Sequence, residues 1–282
     1  MATAKADTVD TPEGRFAGLH SRWTQYSELW EPFAVAAELF LKDLWHGLRA
    51  GNLAILFRNR GARDHSFAEW YKTLGHHFSA YEDTTPVPGL VASAHGVVLE
   101  LGPGTGNQLS RFAAPTITHV YGVEPNTAFA DALMARLASE ETPAALRDRY
   151  TPVFCGVEDR GALARQGVVP GSVDCVVSMQ VLCSVERPRE VAAWLYELLK
   201  PGGQVIFWEH CRSEDRVTRW VQRVWSLLWP VVVGGCRLDR PIREILLGAG
   251  EWEVVKIETD RQPHLVMPRI WGRLLKPEAK EA

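Results

Sequence analysis

From Gly96 onward, short runs rich in valine and isoleucine alternate with stretches of helical periodicity, and this alternation restricts the fold more than any other feature of the chain. "GVVLELG", "THVYGVEP", "TPVFCGVE", "SVDCVVSM" and "GGQVIFWEH" read as strands, each bounded by Gly, Pro or polar residues. "NQLSRFAA", "NTAFADALMARLASE", "DRGALARQG" and "RPREVAAWLYELLKPGG" lie between them and read as helices. Pro188 near the start of the last one, and Gly202 with Gly203 after its end, are the expected punctuation of a helix. Right-handed crossovers then give an α/β fold, a mainly parallel sheet with helices on both faces. Two further strand patterns, "WEVVKIET" and "RIWGRLLK", close the chain.

The first strand runs into a glycine turn that must receive a ligand. Glu100 is followed by Leu101, Gly102, Pro103, Gly104, Thr105 and Gly106, with a helix expected to begin near Asn107. Glycines let a ligand approach the backbone with no Cβ in the way. A dinucleotide fingerprint needs its third glycine at the sixth position from Gly102, and that position is Asn107. The pattern is instead E-x-G-x-G-x-G. A carboxylate beside the turn repels a pyrophosphate and suits an ammonium or sulfonium, which favours S-adenosylmethionine over NAD. A P-loop is excluded because no G-K-[ST] follows.

Two more acids end strands. Glu124, followed by Pro125, closes the second strand, where an acid in a nucleotide-binding sheet accepts both ribose hydroxyls. Glu158 and Asp159 close the third, within reach of an adenine amino group; Asp159 reads equally as the N-cap of the following helix.

At "LELGPGTGNQ", "GSVDCVVSMQVLCSVERPREV", "LLKPGGQVIFWEH", "GGCRLDR" and "PRIWGRLLK" the chain resembles the class I S-adenosylmethionine-dependent methyltransferases. More narrowly it resembles the methyltransferase-like group whose animal members are thiol S-methyltransferases of endoplasmic reticulum and lipid-droplet membranes. The resemblance covers roughly Gly89 to Lys276. It implies a Rossmann-like, seven-stranded, mostly parallel sheet, S-adenosylmethionine as methyl donor, S-adenosylhomocysteine as product, and a small thiol acceptor. On this likeness Glu100, Leu101, Gly102, Gly104, Gly106 and Asn107 line the methionine side, Glu124 and Pro125 the ribose, and Glu158 or Asp159 the adenine, while Met179 and Gln180 close over the sulfonium.

Methyl transfer asks little covalent machinery of the protein, but a thiol reacts as its thiolate, so a base helps. His210 in "FWEHC", at the ligand edge of the fifth strand, is the first candidate, with Glu209 its rival; a histidine that merely caps the strand is the alternative. An oxygen or nitrogen acceptor in a specialised metabolite, or a catalytically silent subunit that binds the cofactor, are the competing functions. Of eleven tryptophans none lies between Tyr71 and Ala193, so the cofactor half lacks them. In "RVTRWVQRVWSLLWPVVV", Val217, Trp220, Val221, Val224, Trp225 and Leu228 share one helix face, opposite Arg219, Gln222 and Arg223. That face is expected to cover an apolar acceptor pocket, to pack as an ordinary lid, or to touch a membrane surface.

Composition bounds the rest. A formal net charge of −3 gives no basic footprint for nucleic acid. The five cysteines are odd in number and never form a CxxC pair, so the spacing indicates no disulfide framework and no metal site, and a reducing, cytoplasmic setting is expected. Residues 1–20 are polar and read as a disordered lead without a secretory signal. Residues 21–88 read as a helical extension serving as a lid or docking surface. Within it Trp30, Phe33, Ala37, Phe40, Leu41, Leu44 and Leu48 recur at helical spacing, but Glu38, Lys42 and Asp43 interrupt what would be a membrane anchor. Peripheral contact with an endoplasmic reticulum or lipid-droplet membrane is the alternative setting. The methyltransferase domain is expected over residues 89–277, with residues 278–282 as a tail.

Overall fold

The computed structural model describes residues 21–56, 59–112, 115–262 and 264–278; the lead expected over residues 1–20 and nearly all of the tail lie outside them. Seven strands form one sheet in the order β3-β2-β1-β4-β5-β7-β6. They are β1 (Gly96–Leu101), β2 (Ile117–Val123), β3 (Tyr150–Val153), β4 (Val173–Met179), β5 (Leu199–His210), β6 (Glu253–Thr259) and β7 (Arg269–Leu275). The first five pair in parallel, and β7 runs antiparallel to both β5 and β6. This is the mostly parallel sheet that the alternation predicts, in the seven-stranded, Rossmann-like form that the resemblance implies.

Strand alternation divides the core between two faces. Leu99, Leu101, Val176, Val205 and Phe207 are buried on one, against Val191, Trp194, Leu195 and Leu198 of helix α8 (Pro188–Leu198) and Ile242, Ile245 and Leu246 of α11 (Ile242–Leu247). Val98, Cys175, Val177, Ile206 and Trp208 are buried on the other, against α4 (Val87–Ala92) and α5 (Ala130–Ala138). Each such aliphatic or aromatic side chain contributes about 1.5–3 kcal/mol by leaving water, so a sheet buried on both faces is favoured.

A third cluster lies over the carboxyl edge of the sheet. Here α1 (residues 21–27), α2 (Trp30–Arg49) and α3 (Arg60–Glu82) meet α9 (Arg216–Trp225) and α10 (Trp229–Val232). Leu29, Ala36, Phe40, Trp70, Trp229, Val232 and Val233 are buried between them. Arg22 of α1 donates to both carboxylate oxygens of Asp215, at 2.7 and 3.0 Å, and Asp215 also caps α9 by accepting from Thr218 N at 2.8 Å. No described helix is long and apolar enough to cross a membrane.

One expectation needs correction, and one open choice is narrowed. The glycine turn does not run into an α-helix at Asn107: residues 104–108 form turns and Leu109–Arg111 a single 3-10 turn. Asn107 instead accepts from Thr105 Oγ1 at 3.0 Å and donates to Tyr71 at 3.1 Å, while Arg111 is drawn to the end of α3. The open choice concerns α9. Its apolar face is divided: Trp220 is 67% exposed with Val217, Val224 and Leu228 exposed beside it, while Val221 and Trp225 are half-buried against the third cluster. The buried face carries Thr218 and Gln222, because Gln222 satisfies three buried backbone groups: it accepts from Ser213 N and donates to the carbonyls of Cys211 and Val266. Of the tryptophans in this segment, Trp229 is fully buried and lines the cavity described next.

Candidate active site

The carboxyl ends of β1, β2, β4 and β5 open into one cavity of about 420 Å³. It lies where the strand order reverses between β1 and β4, the position at which open α/β sheets receive ligands. Its volume falls in the range of small-molecule sites.

Leu101, Gly102 and Gly104 line the cavity. Gly102 has φ 56°, and a Cβ there would lie 2.8 Å from Val181 Cγ2. Gly104, at φ 55°, turns its amide onto Glu124, whose Oε2 accepts at 2.9 Å. Glu124 Oε1 accepts from Asn126 N at 2.8 Å. A carboxylate offers about four acceptor positions, so two are left for a vicinal diol. Burial pushes the Glu124 carboxyl up to about 7, against the pull of these two amide hydrogen bonds. Pro125, Glu158, Met179 and Gln180 also line the cavity. Gln180 sits at φ 62°, an uncommon conformation for a residue with a side chain, held by its amide's 2.8 Å bond to the Trp208 carbonyl.

Five expected residues do not line it. Glu100 faces the other side of β1, where it is buried and accepts from Tyr150 Oη at 2.6 Å; burial pushes it up to about 7. The acids that do line the cavity include Glu124 and Glu158. Gly106 packs under the turn, where a Cβ would meet Leu109 at 2.7 Å. Asn107 lies behind Tyr71. Asp159 is exposed and caps α7 (Arg160–Arg165), accepting from Ala162 N at 2.9 Å, which leaves Glu158 as the acid at the β3 end.

Glu209 is the fifth. Strand alternation puts it and His210 on opposite faces of β5. Its carboxylate is fully buried and accepts from Ser178 Oγ at 2.6 Å, Val181 N at 3.0 Å and Leu182 N at 3.1 Å, so it shapes the loop after β4 and does not face an acceptor. Burial holds it near 7. His210 does line the cavity, with Nδ1 3.9 Å from Cys236 Sγ. Cys183 is beside Cys236, and interaction between the thiols draws Cys236 below the usual thiol range, helped by His210, while Cys183 is held well above it.

Helix α3 is the part of the site that sequence reading missed. Phe67, Trp70, Tyr71, Leu74, Phe78 and Tyr81 line the cavity from one face of it. Tyr71 stacks on Phe78 at 5.3 Å between ring centroids and meets Phe129 edge-on at 5.8 Å. The signal is present in "FAEWYKTLGHHFSAY" as a stripe at helical spacing, but Lys72, His76 and His77 dilute its amphipathic contrast. The end of α3 is fastened to the glycine turn: buried Arg111 donates to Glu82 and Gln108, to Asp83 at 2.6 Å and to the Ser79 carbonyl at 3.2 Å.

A methyltransferase-domain family model matches residues 63–238, beginning inside α3. The human thiol S-methyltransferase TMT1B is 32% identical over 206 residues, 71% of this chain and 76% of that protein. The human thiol S-methyltransferase TMT1A is 30% identical over 183 residues, 64% of this chain and 70% of that protein. Among solved structures, an O-methyltransferase family protein from Burkholderia thailandensis superposes with a TM-score of 0.57 at 19% identity, covering 89% of this chain and 72% of that one. The cyclase SpnF gives 0.52 at 18% identity, covering 68% and 80%. At such identities the structures establish the fold, and the cyclase among them shows that this fold alone does not fix a reaction.

Proposed function

Since this chain belongs to the methyltransferase-domain family and is an S-adenosylmethionine-dependent enzyme acting on a small molecule, we propose that its acceptor is a thiol. The observation that carries this reading is one continuous lining: the glycine turn and Glu124 at one part of the cavity, and His210, Cys183, Cys236, Trp229, Val233 and Met267 elsewhere in it. The relatives that match over most of the chain are thiol S-methyltransferases, which supports the same acceptor.

Gly102 and Gly104 would admit the methionine portion against the backbone, Glu124 would accept from the ribose hydroxyls, and Glu158 stands at the β3 end for the adenine. When bound, S-adenosylmethionine supplies an electrophilic methyl group and a good leaving group. The protein's own work is alignment and exclusion of water. Aromatic residues of α3 with Trp229 form an apolar wall that would hold an alkyl or aryl acceptor, and His210, in the same lining, would be a base for the thiol proton.

The test is a methylation assay of the full-length protein over alkyl thiols, aryl thiols, phenols and amines. S-methyl sulfides are expected; methylated phenols or amines with no sulfide would overturn the thiol assignment and favour an oxygen or nitrogen acceptor. Cofactor binding with no product from any acceptor would favour a silent binding subunit.

A second reading concerns location. The outward face of α9, with Leu227 and Leu228, adjoins Trp30 of α2, which is 61% exposed and packs on Trp225 at 4.9 Å. Arg216 and Arg223 are exposed on the same helix. Exposed aromatics with basic flanks suit an anionic lipid surface, so this face is proposed as a peripheral membrane contact. Co-sedimentation with anionic vesicles that is lost in Trp220→Ser/Leu227→Ser supports it; equal sedimentation of variant and wild type would remove it.

A further inference from the structure

Cys183, His210 and Cys236 reach one point from three segments: the loop after β4, the end of β5 and the loop after α10. One ligand atom from each lies within 4.8 Å of the other two, and all three residues line the cavity. We propose that they form a site for a thiophilic d10 cation, zinc, with three protein ligands and a fourth position open to the cavity.

Four observations carry the assignment. The donor set is two sulfurs and one imidazole nitrogen, which selects zinc or copper(I) over magnesium or calcium. Tetrahedral zinc with bonds of about 2.3 Å to sulfur and about 2.0 Å to nitrogen places its ligand atoms about 3.5–3.8 Å apart, so small rotamer changes close this trio on an ion. Three protein ligands beside open space describe a catalytic zinc site, whereas structural sites are closed by a fourth residue. The backbone that carries the ligands is also fixed: Glu209 holds the amides of Val181 and Leu182, Arg237 N donates to the Cys183 carbonyl at 2.9 Å, and Arg240 Nη1 donates to the Leu182 carbonyl at 2.8 Å. Gly235, at φ 84°, allows the two loops to approach so closely that a Cβ would lie 3.2 Å from the Ser184 carbonyl. A disulfide would use the two cysteines and leave the third donor, His210, without a part.

The cation site stands on this geometry alone; its chemical use rests on the thiol-acceptor reading. An acceptor thiol takes the fourth position as thiolate, and its proton leaves with the water it displaces. A sulfur lone pair then forms the new S–CH3 bond while the pair of the breaking C–S bond returns to the cofactor sulfur. Zinc changes no oxidation state, and the thioether product, a weaker ligand than a thiolate, departs. On this assignment His210 acts as a ligand and is released from the role of base.

The experiment loads the reduced full-length protein with zinc, and separately with cobalt(II), and removes excess ion by gel filtration. About one equivalent of zinc is expected, together with thiolate-to-cobalt charge-transfer absorption from the cobalt form. Cys183→Ser, Cys236→Ser and His210→Ala should each lose most of the ion and the absorption while keeping S-adenosylhomocysteine affinity within about twofold, which separates a lost ligand from a lost fold. No retained ion, full retention in Cys183→Ser/Cys236→Ser, or a mass lower by two hydrogens from a Cys183–Cys236 disulfide would each overturn the proposal. One equivalent of zinc in a protein that methylates phenols or amines and no thiol would keep the site and refute the acceptor. Thiol methylation at full rate by metal-free protein would keep the acceptor and refute the proposed use of the cation.

Discussion

The glycine-turn edge and the helical cover above it are built by different kinds of constraint. At the edge the backbone itself determines the chemistry: Gly102 and Gly104 adopt positive φ, and Glu124 reaches across to the Gly104 amide. In the cover, helices α2, α3, α9 and α10 meet through side chains drawn from distant parts of the chain. Backbone constraints are local and leave a short motif in the sequence. Packing constraints decide which face of a helix turns inward, and periodicity alone does not specify that.

The strongest way to break this contrast is at the joint between the two regions. Arg111→Met should lower unfolding free energy by about 3–5 kcal/mol, because it leaves the buried Glu82 carboxylate without its cation. Chemical denaturation measures this, and Glu82→Gln in the same chain should recover part of it; a loss under about 1 kcal/mol would mean that the cover is not fastened there. Gly104→Val comes next. A β-branched residue at φ 55° strains the backbone and puts a side chain into the cavity where the ligand approaches, so calorimetry should show S-adenosylhomocysteine affinity falling at least about tenfold, and unchanged affinity would take the turn out of the site.

The third effect is a pH dependence. Glu124 is raised to about 7, so below that pH the ligand-free protein favours its protonated form, while a ribose diol requires the ionised one. Affinity for S-adenosylhomocysteine should therefore rise about tenfold from pH 6 to pH 8 and level off above it, and Glu124→Gln should flatten the profile. A flat wild-type profile would remove Glu124 from the diol. Glu100 and Glu209 are raised in the same direction by burial, so the stability that the three protonated carboxyls hold in acid is lost as pH climbs from the usual carboxylate range through about 7. The smallest effect lies on the outer surface: Trp220→Ser should change stability by no more than about 0.5 kcal/mol, whereas a large loss by thermal melting would mean that the outward face of α9 is packed.

Much of the fold was legible because the central strands β1, β4 and β5, buried on both faces, read as apolar runs at the expected intervals. Leu101, Gly102, Gly104, Glu124, Glu158, Met179, Gln180 and His210 share the cavity; Glu124, Glu158 and His210 were read from strand ends, the glycines from their turn, and Leu101, Met179 and Gln180 from the family likeness. Glu100 and Glu209 were misread because an acid at a strand end lies on one of two faces, and here Tyr150 and the loop after β4 take them. The outward face of α9 was illegible for a related reason: three backbone groups from residues 211, 213 and 266 select the polar side of Gln222. The Cys183–His210–Cys236 cluster has no local spacing at all, since each ligand comes from a separate segment.

On the proposed function, this cavity brings S-adenosylmethionine and a thiol together for methyl transfer. Single-turnover reaction of the purified protein with methyl-labelled cofactor and a small thiol, resolved by mass spectrometry, tests it most directly. Labelled S-methyl sulfide and S-adenosylhomocysteine are expected in equal amounts, both lost in Gly104→Val. Labelled methyl groups that stay on the cofactor, or that appear on oxygen or nitrogen acceptors alone, would contradict it.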